Sequence, residues 1–568
     1  VTVKLLLNRT RDGFHSLLDS NVFKGDSDQT AIVFVQTEQA PVVVSREDFR
    51  RECLKTASAM ESLGVSSRDL VIIAHTQDLE SIYLFWGAIF LGAIPSIFHT
   101  VTEKISYDLY FTDMPDLIDQ TGAEVVFTTD AFAPLLAPKV RCQVYKSSDL
   151  QSSAADFSAD RMPNSDEIAL VQHSSGSTGA KKGVAFSHEA VLNQIASYST
   201  ALRVDEDDVV VSWMPLYHDG GMIAGHILPL VQGLPLVLMS PFDWVKHPGI
   251  LFRAIGEYQG TLTWLPNFAY NHCVRRVREK DIEGVRLDSV KAFINAAEPV
   301  REKSHRQFLE KFAPYGLEAE KLTVMYGMAE NVLAITQTRL GEEPLVDVIN
   351  RIALEEQRVA EPVDRDHPDA FPVVSCGTPI ANVELRVVDD DFQDLPDRHL
   401  GQLVVRSNCL FEEYYRQPDL TADAFHDGWH LTGDLGYMVQ GEVFVTGRLK
   451  DLIIHAGKNV YPHDVEEIVN QVPGVHPGRV VAFGVFDERE GTELIAVVAE
   501  SDSGDDQAQE ALKYAIRDAV ARRTTVTLAY VDIVDREWMI KTSSGKIPRS
   551  ANREKWMNEK FGKEARST

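Results

Sequence analysis

Positive charge is scarce in this chain: 56 lysines and arginines face 84 aspartates and glutamates among 568 residues, a formal net charge of −28. Nucleic acid and anionic lipid surfaces both need a surplus of cations for nonspecific binding, so neither is an expected partner. Cysteine is scarcer still. The five, Cys53, Cys142, Cys273, Cys376 and Cys409, are odd in number, widely separated and never spaced as metal-binding pairs. This argues against a disulfide framework and for reduced structural thiols in a cytoplasmic protein. Long apolar runs are also missing. The apolar-dominated stretch 82–98, free of charged residues and of histidine, contains Pro95 and falls short of the roughly 20 residues that cross a bilayer. It predicts a buried helix followed by a buried strand, and no stable membrane insertion. Lys4, Arg9, Arg11 and Asp12 interrupt the first apolar residues, against a signal peptide. No internal repeat or strong low-complexity segment is visible.

What is present describes an ordinary globular protein, 44% hydrophobic and 25% charged. At 568 residues it is too long for one compact core, and two or three domains are expected. Short β-rich runs at 70–74, 124–128, 168–173, 209–213, 236–239, 261–265, 291–294 and 322–326 alternate with helical stretches such as 189–202 and 302–312. The fold class is therefore α/β, with helices packed on sheets. The segment 340–372 differs: it is rich in charge, carries Pro362 and Pro368, and has weak periodicity. Strands at 384–388 and 402–406 follow, in a β-rich subdomain of about 375–449. From Lys450 onward a smaller α+β unit is expected, with strands at 452–454, 478–485 and 494–499 and helices at 462–471 and 507–522. The predicted organisation is thus a large domain over 1–449 and a small one over 450–568.

The run 171–184, Val-Gln-His-Ser-Ser-Gly-Ser-Thr-Gly-Ala-Lys-Lys-Gly-Val, follows directly from an apolar strand. Gly176, Gly179 and Gly183 permit backbone angles that turn N–H groups toward an anion; Ser174, Ser175, Ser177 and Thr178 add hydroxyls, and Lys181 and Lys182 add charge. Such a loop suits polyphosphate. It is not a Walker loop, because Lys182 is followed by Gly183 instead of Ser or Thr. A flexible serine-glycine linker is the alternative for these residues taken alone.

Six further motifs follow in order: Val211-Ser-Trp-Met-Pro-Leu-Tyr-His-Asp219, Asn295-Ala-Ala-Glu-Pro-Val300, Tyr326-Gly-Met-Ala-Glu330, Leu431-Thr-Gly-Asp-Leu-Gly436, Gly447-Arg-Leu-Lys-Asp451 and Lys541-Thr-Ser-Ser-Gly-Lys546. With the glycine-rich loop, they resemble the successive core motifs of the adenylate-forming superfamily, which includes acyl-CoA synthetases, peptide-synthetase adenylation domains, luciferases and fatty acyl-AMP ligases. One departure is Lys181, where that family usually has proline. The resemblance implies formation of an acyl adenylate from ATP and a carboxylic acid, a reaction governed by alignment and charge neutralisation.

On that resemblance, ATP is expected at Ser174, Ser175, Gly176, Ser177, Thr178, Gly179, Lys182, Ala297, Glu298, Tyr326, Gly327, Met328, Asp434 and Arg448. Asp434 would accept the ribose hydroxyls, and the planar fork of Arg448 would meet ribose or phosphate. Glu330 suits Mg²⁺, which binds few protein carboxylates. Lys546 is the implied adenylation lysine, with Lys450 at a hinge about which a small mobile C-terminal domain rotates after adenylation, presenting 455–459 to an incoming thiol. His218 is expected to position or gate the acyl group, although it forms a sequence-adjacent pair with Asp219. Trp213, Met222, Ile223 and Asn295 are candidate substrate contacts; core packing explains the apolar three equally well.

The wording of 212–221, 445–455 and 461–464, and the long spacer between Glu330 and 374–379, are similar to the fatty acyl-AMP ligase branch. In that branch an insertion restrains the small domain and disfavours free CoA, leaving the acyl group for the phosphopantetheine arm of an acyl carrier protein. The stretch 340–372 is the candidate for that insertion, the simpler reading being a solvated charged loop. A CoA synthetase making the same adenylate is the alternative acceptor chemistry, and a non-adenylating nucleotide-binding module the alternative of another class.

Overall fold

The computed structural model describes residues 14–24, 26–99, 107–150, 162–173, 182–455, 458–502, 504–524, 526–541 and 546–562. The α/β fold class holds. A nine-stranded sheet runs in the order Thr378–Pro379, Ala334–Gln337, Leu322–Gly327, Ala292–Asn295, Leu262–Leu265, Val210–Ser212, Leu236–Met239, Thr30–Val35, Val42–Ser45. Its six strands from Leu322–Gly327 to Thr30–Val35 are mutually parallel. A second, wholly parallel sheet orders Ile94–Phe98, Leu70–Ala74, Val125–Thr128 and Gln143–Lys146. Every residue of Leu70–Ala74 is buried, as a central parallel strand covered on both faces requires, and this is why its sequence is an unbroken apolar run.

The uncharged stretch 82–98 divides as the sequence predicts. Helix Leu79–Leu91 starts at Asp78, whose carboxylate accepts the Ser81 N–H at 3.0 Å, and stops at Gly92 in the left-handed conformation. Strand Ile94–Phe98 follows at once. Helices His188–Ala201 and Glu302–Phe312 match the expected ones, the first capped by the Ser187 hydroxyl.

The stretch 340–372 requires a correction. It is not a plain solvated loop: Val346–Asn350 pairs antiparallel with Ala370–Val374, and a helical turn Ala353–Gln357 lies between them. Ile349, Leu354 and Ala360 are 0–1% exposed and pack with Val373, Leu435, Tyr437 and Phe444, together with Tyr461 from the small domain. A few well-placed apolar residues among many charges are enough to build this core, and they leave little periodicity in the sequence.

Beyond residue 452 two hydrophobic clusters form on opposite faces of the sheet Val480–Asp487, Thr492–Glu500, Leu528–Val534. One lies against helices Pro462–Asn470 and Asp506–Arg523, the other against Trp556 of helix Arg549–Phe561. Among the described residues no helix is long and apolar enough to span a membrane.

Candidate active site

The motifs converge where the strands of the large sheet end. Strand Leu322–Gly327 delivers Tyr326, and the long antiparallel pair Trp429–Val439 and Glu442–Arg448 sets Asp434 opposite Arg448. The Tyr326 hydroxyl donates to Asp434 Oδ2 at 2.7 Å, and Arg448 Nε donates to Asp434 Oδ1 at 3.1 Å. Asp434 is 5% exposed. Burial pushes its carboxyl pKa up, opposed by the Arg448 guanidinium and the Tyr326 hydrogen bond. Beside it Gly433 holds φ 71° with open space where a side chain would be, so a ligand can approach the backbone there.

Glu330 sits just past that strand. Its placement is fixed by a strained turn: Val332 adopts φ 61°, ψ −50°, and the Leu333 N–H donates to Asn331 O at 2.6 Å while Met328 N–H donates to Leu333 O at 2.8 Å. A β-branched residue in this γ-turn stores on the order of 1–3 kcal/mol, as functional sites often do. The close approach also explains Gly327, where a Cβ would lie 2.0 Å from Leu333 O. Tyr414 donates its hydroxyl to Glu330 Oε1 at 2.8 Å, and Lys182 Nζ lies 4.5 Å from the centre of the same ring.

The third element is Lys546. Its side chain is exposed, yet much of the protein lies around it, and the resulting desolvation lowers its pKa against the raising effect of Asp219 and Glu298. Arg448 opposes the charge. Glu298 accepts the Phe268 N–H, and burial raises its pKa, as it does that of Asp219. Ala297, at φ 73°, makes the turn that aims Glu298. Burial and the Lys546 charge push the neighbouring His218 down to about 3, so it is a neutral imidazole at working pH. A positioning role suits it and an acidic one does not.

Not every predicted contact lies on this cleft. Asn295 is fully buried; its amide donates to His305 Nε2 at 2.9 Å and lies 3.4 Å from Asn267 Oδ1, so it braces the turn that carries Glu298 and is not a substrate contact. Trp213 is 3% exposed and stacked on Trp244 with ring centres 3.6 Å apart. Met222 and Ile223 are buried in the π-helix Gly220–Ile227 that starts after Asp219. The loop Ser174, Ser175, Gly176, Ser177, Thr178, Gly179 lies outside the described residues. Tyr414, Asp219 and Arg301 belong to the site or its frame and were not singled out as site residues from sequence. Only Asp219 lay inside a motif; the other two carry no local signal.

A nucleotide and one hard cation fit these groups. Lys182, Arg448 and Lys546 supply positive charge to an acidic chain, and Asp434 offers a buried acceptor. Among the described residues no group of three His, Cys, Asp or Glu could hold a metal alone; Mg²⁺ shared between Glu330 and phosphates needs no such group.

The AMP-binding enzyme family model matches residues 20–415. The chain is 32% identical to the medium-chain-fatty-acid–[acyl-carrier-protein] ligase JamA of Moorena producens, over 69% of this chain and 68% of that one. It is 30% identical to the long-chain-fatty-acid–AMP ligase FadD32 of Mycobacterium marinum, over 89% of each. A solved structure from work on fatty acyl-adenylate ligases of E. coli and L. pneumophila superposes with a TM-score of 0.88 at 24% identity, covering 96% of this chain and 98% of that one, a likeness of fold.

Proposed function

The chain belongs to the AMP-binding enzyme family, and we propose that it is a ligase that uses ATP to convert a fatty or other apolar carboxylic acid into an acyl adenylate, releasing pyrophosphate. The acyl group then passes to the phosphopantetheine thiol of a carrier protein. The observation that carries this reading is the meeting of the Tyr326–Asp434–Arg448 cluster, whose tyrosine and aspartate are buried, with Lys546, because it brings a ribose acceptor and a mobile-domain cation to one cleft.

In this reading Asp434 receives the ribose hydroxyls and Arg448 and Lys182 meet phosphate oxygens. Mg²⁺, held by Glu330 and the phosphates, would neutralise the departing pyrophosphate. Lys546 draws the attacking carboxylate and the α-phosphate together; its ammonium stabilises charge that develops only as the bond forms. His218, neutral and partly buried, positions the acid. Trp213, Met222 and Ile223 are buried and would back the apolar side of the cleft without contacting the acid. Lys450, in the turn Leu449–Asp451, is the proposed hinge.

Carrier-protein transfer is favoured over free CoA by the insertion. Its turn Ala353–Gln357 lies against strand Lys458–Val460, and Tyr461 is 3% exposed within the insertion's core. That contact restrains the small domain just after the hinge. The relatives active on fatty acids point to the acid class.

The test is mass-spectrometric product analysis with ATP, Mg²⁺ and a pooled set of fatty and cyclic acids, with and without CoA and a phosphopantetheinylated carrier protein. Acyl-AMP that persists with CoA and is consumed with the carrier is expected. Quantitative conversion to acyl-CoA would overturn the acceptor assignment, and absence of any pyrophosphate release would overturn adenylation.

A further inference from the structure

Helix Pro462–Asn470 of the small domain is gripped from two sides by arginines that the chemistry above does not use. On one side stands Arg301, directly after the Asn295–Val300 motif of the large domain. Its Nη2 lies 3.4 Å from Asp464 Oδ1 and its Nε 3.2 Å from Glu467 Oε2. Asp464 and Glu467 are three residues apart and so share one face of the helix. On the other face Glu466 takes a bidentate pair from Arg549, at 3.0 and 2.7 Å. Arg549 also reaches Asp451, beside the hinge, at 2.9 Å. Arg549 follows Lys546 by three residues.

The two grips differ in kind. Arg549, Glu466 and Asp451 all lie beyond Lys450 and travel together in any rotation about it. Arg301 is the member that crosses between the domains. Its own backbone is fixed, since the Arg301 N–H donates to Asn267 Oδ1 at 3.1 Å, the same amide that Asn295 approaches. Its side chain is 21% exposed and that of Asp464 only 8%. Burial works to raise the pKa of the Asp464 carboxyl, but His463, Arg301 and Arg351 together hold it below its ordinary value.

We propose that Arg301 is a positioning residue for adenylation. Through Asp464 and Glu467 it docks helix Pro462–Asn470, and through Glu466 and Arg549 this docking fixes Lys546 in the cleft. The pair must break when the small domain turns away for thiol transfer. Arg301 therefore favours the first half-reaction and has no task in the second. The inference rests on Lys546 being the adenylation lysine.

The experiment compares the full-length wild type with Arg301→Gln and with the charge exchange Arg301→Glu/Asp464→Asn/Glu467→Arg, which leaves no carboxylate facing the new glutamate. Adenylate formation is followed by pyrophosphate release in a single turnover, and transfer by thiol acylation from chemically supplied acyl-AMP. A partly exposed pair with two carboxylates supports a loss of about tenfold. Arg301→Gln should slow adenylate formation by that factor, leave transfer equal or faster, and melt as the wild type does; the charge exchange should recover most of the loss. Equal slowing of both half-reactions, or no recovery in a folded charge-exchanged variant, would overturn the proposal. Hydrogen exchange over 462–470 reads docking without any turnover. Protection there should fall in Arg301→Gln even if the wild type makes no adenylate, and unchanged protection would refute the latch separately from the catalytic reading.

Discussion

The acceptor can be decided by loosening one side chain. Leu354 is 1% exposed in the core that the insertion shares with Tyr461 of the small domain. Truncating a buried leucine to alanine costs about 2–5 kcal/mol in lost burial and cavity formation. The insertion hairpin keeps its own pairing along Val346–Asn350 and Ala370–Val374, so part of the cost falls on the hairpin and part on docking. A share of about 2 kcal/mol moves the docked-to-released equilibrium of the small domain by roughly 30-fold. If the insertion restrains that domain, Leu354→Ala should make acyl-CoA from ATP, acid and CoA where the wild type accumulates acyl-AMP, with adenylate formation reduced far less. Liquid chromatography of both products over time is the assay. Hydrogen exchange over 458–470 reports whether the docking has loosened. Loosened docking with no acyl-CoA would refute the restraint, and CoA discrimination would then have to reside in the thiol channel.

Other perturbations test the site itself. Lys546→Ala should abolish adenylate formation, measured by pyrophosphate release, and leave thiol transfer from supplied acyl-AMP measurable; equal loss of both would make Lys546 structural. Tyr326→Phe removes a hydrogen bond to a buried carboxylate, about 1.5–3 kcal/mol, and should raise the KM for ATP by 10-fold or more. Because that bond helps to hold the Asp434 pKa down, the acid limb of kcat/KM for ATP should also move to higher pH. His188 is buried, and burial lowers it to about 4; its Nδ1 accepts the Leu17 N–H at 3.1 Å. Above pH 6.5 both folded and unfolded chains hold it neutral, whereas between 6.5 and about 4 only the unfolded chain takes up the proton. Stability measured in urea should therefore fall on acidification across that window by up to about 3 kcal/mol from this residue, and His188→Gln should flatten the slope.

Much of this site was legible because its parts are local words. Tyr326, Glu330, Asp434 and Arg448 each sit in a short motif, and the strands beneath them are compact apolar runs whose ends fell within a residue or two of those expected. Leu70–Ala74, Ile168–His173 and Leu236–Met239 coincide fully. A buried parallel strand has to be apolar throughout, and nothing else in a charged chain resembles it. Asn295 also stood in a motif, but a motif does not say which way a side chain turns. Its partners His305 and Asn267 lie on two other helices, and they turn it into the frame.

What stayed hidden depends on pairs far apart in the chain. Tyr414 reaches Glu330 across 84 residues and Arg301 reaches Asp464 across 163, and neither arginine nor tyrosine is unusual where it stands. The insertion hid for a different reason. Its core needs only Ile349, Leu354 and Ala360 from its own residues before Ala370, because Val373, Leu400, Leu435, Tyr437, Phe444 and Tyr461 supply the rest of the cluster. A segment that borrows its core from neighbours has no amphipathic period to display, so charge dominates its composition and imitates a loop. The same borrowing is what puts it in contact with the small domain: a hairpin with a complete core of its own would have no reason to hold Tyr461.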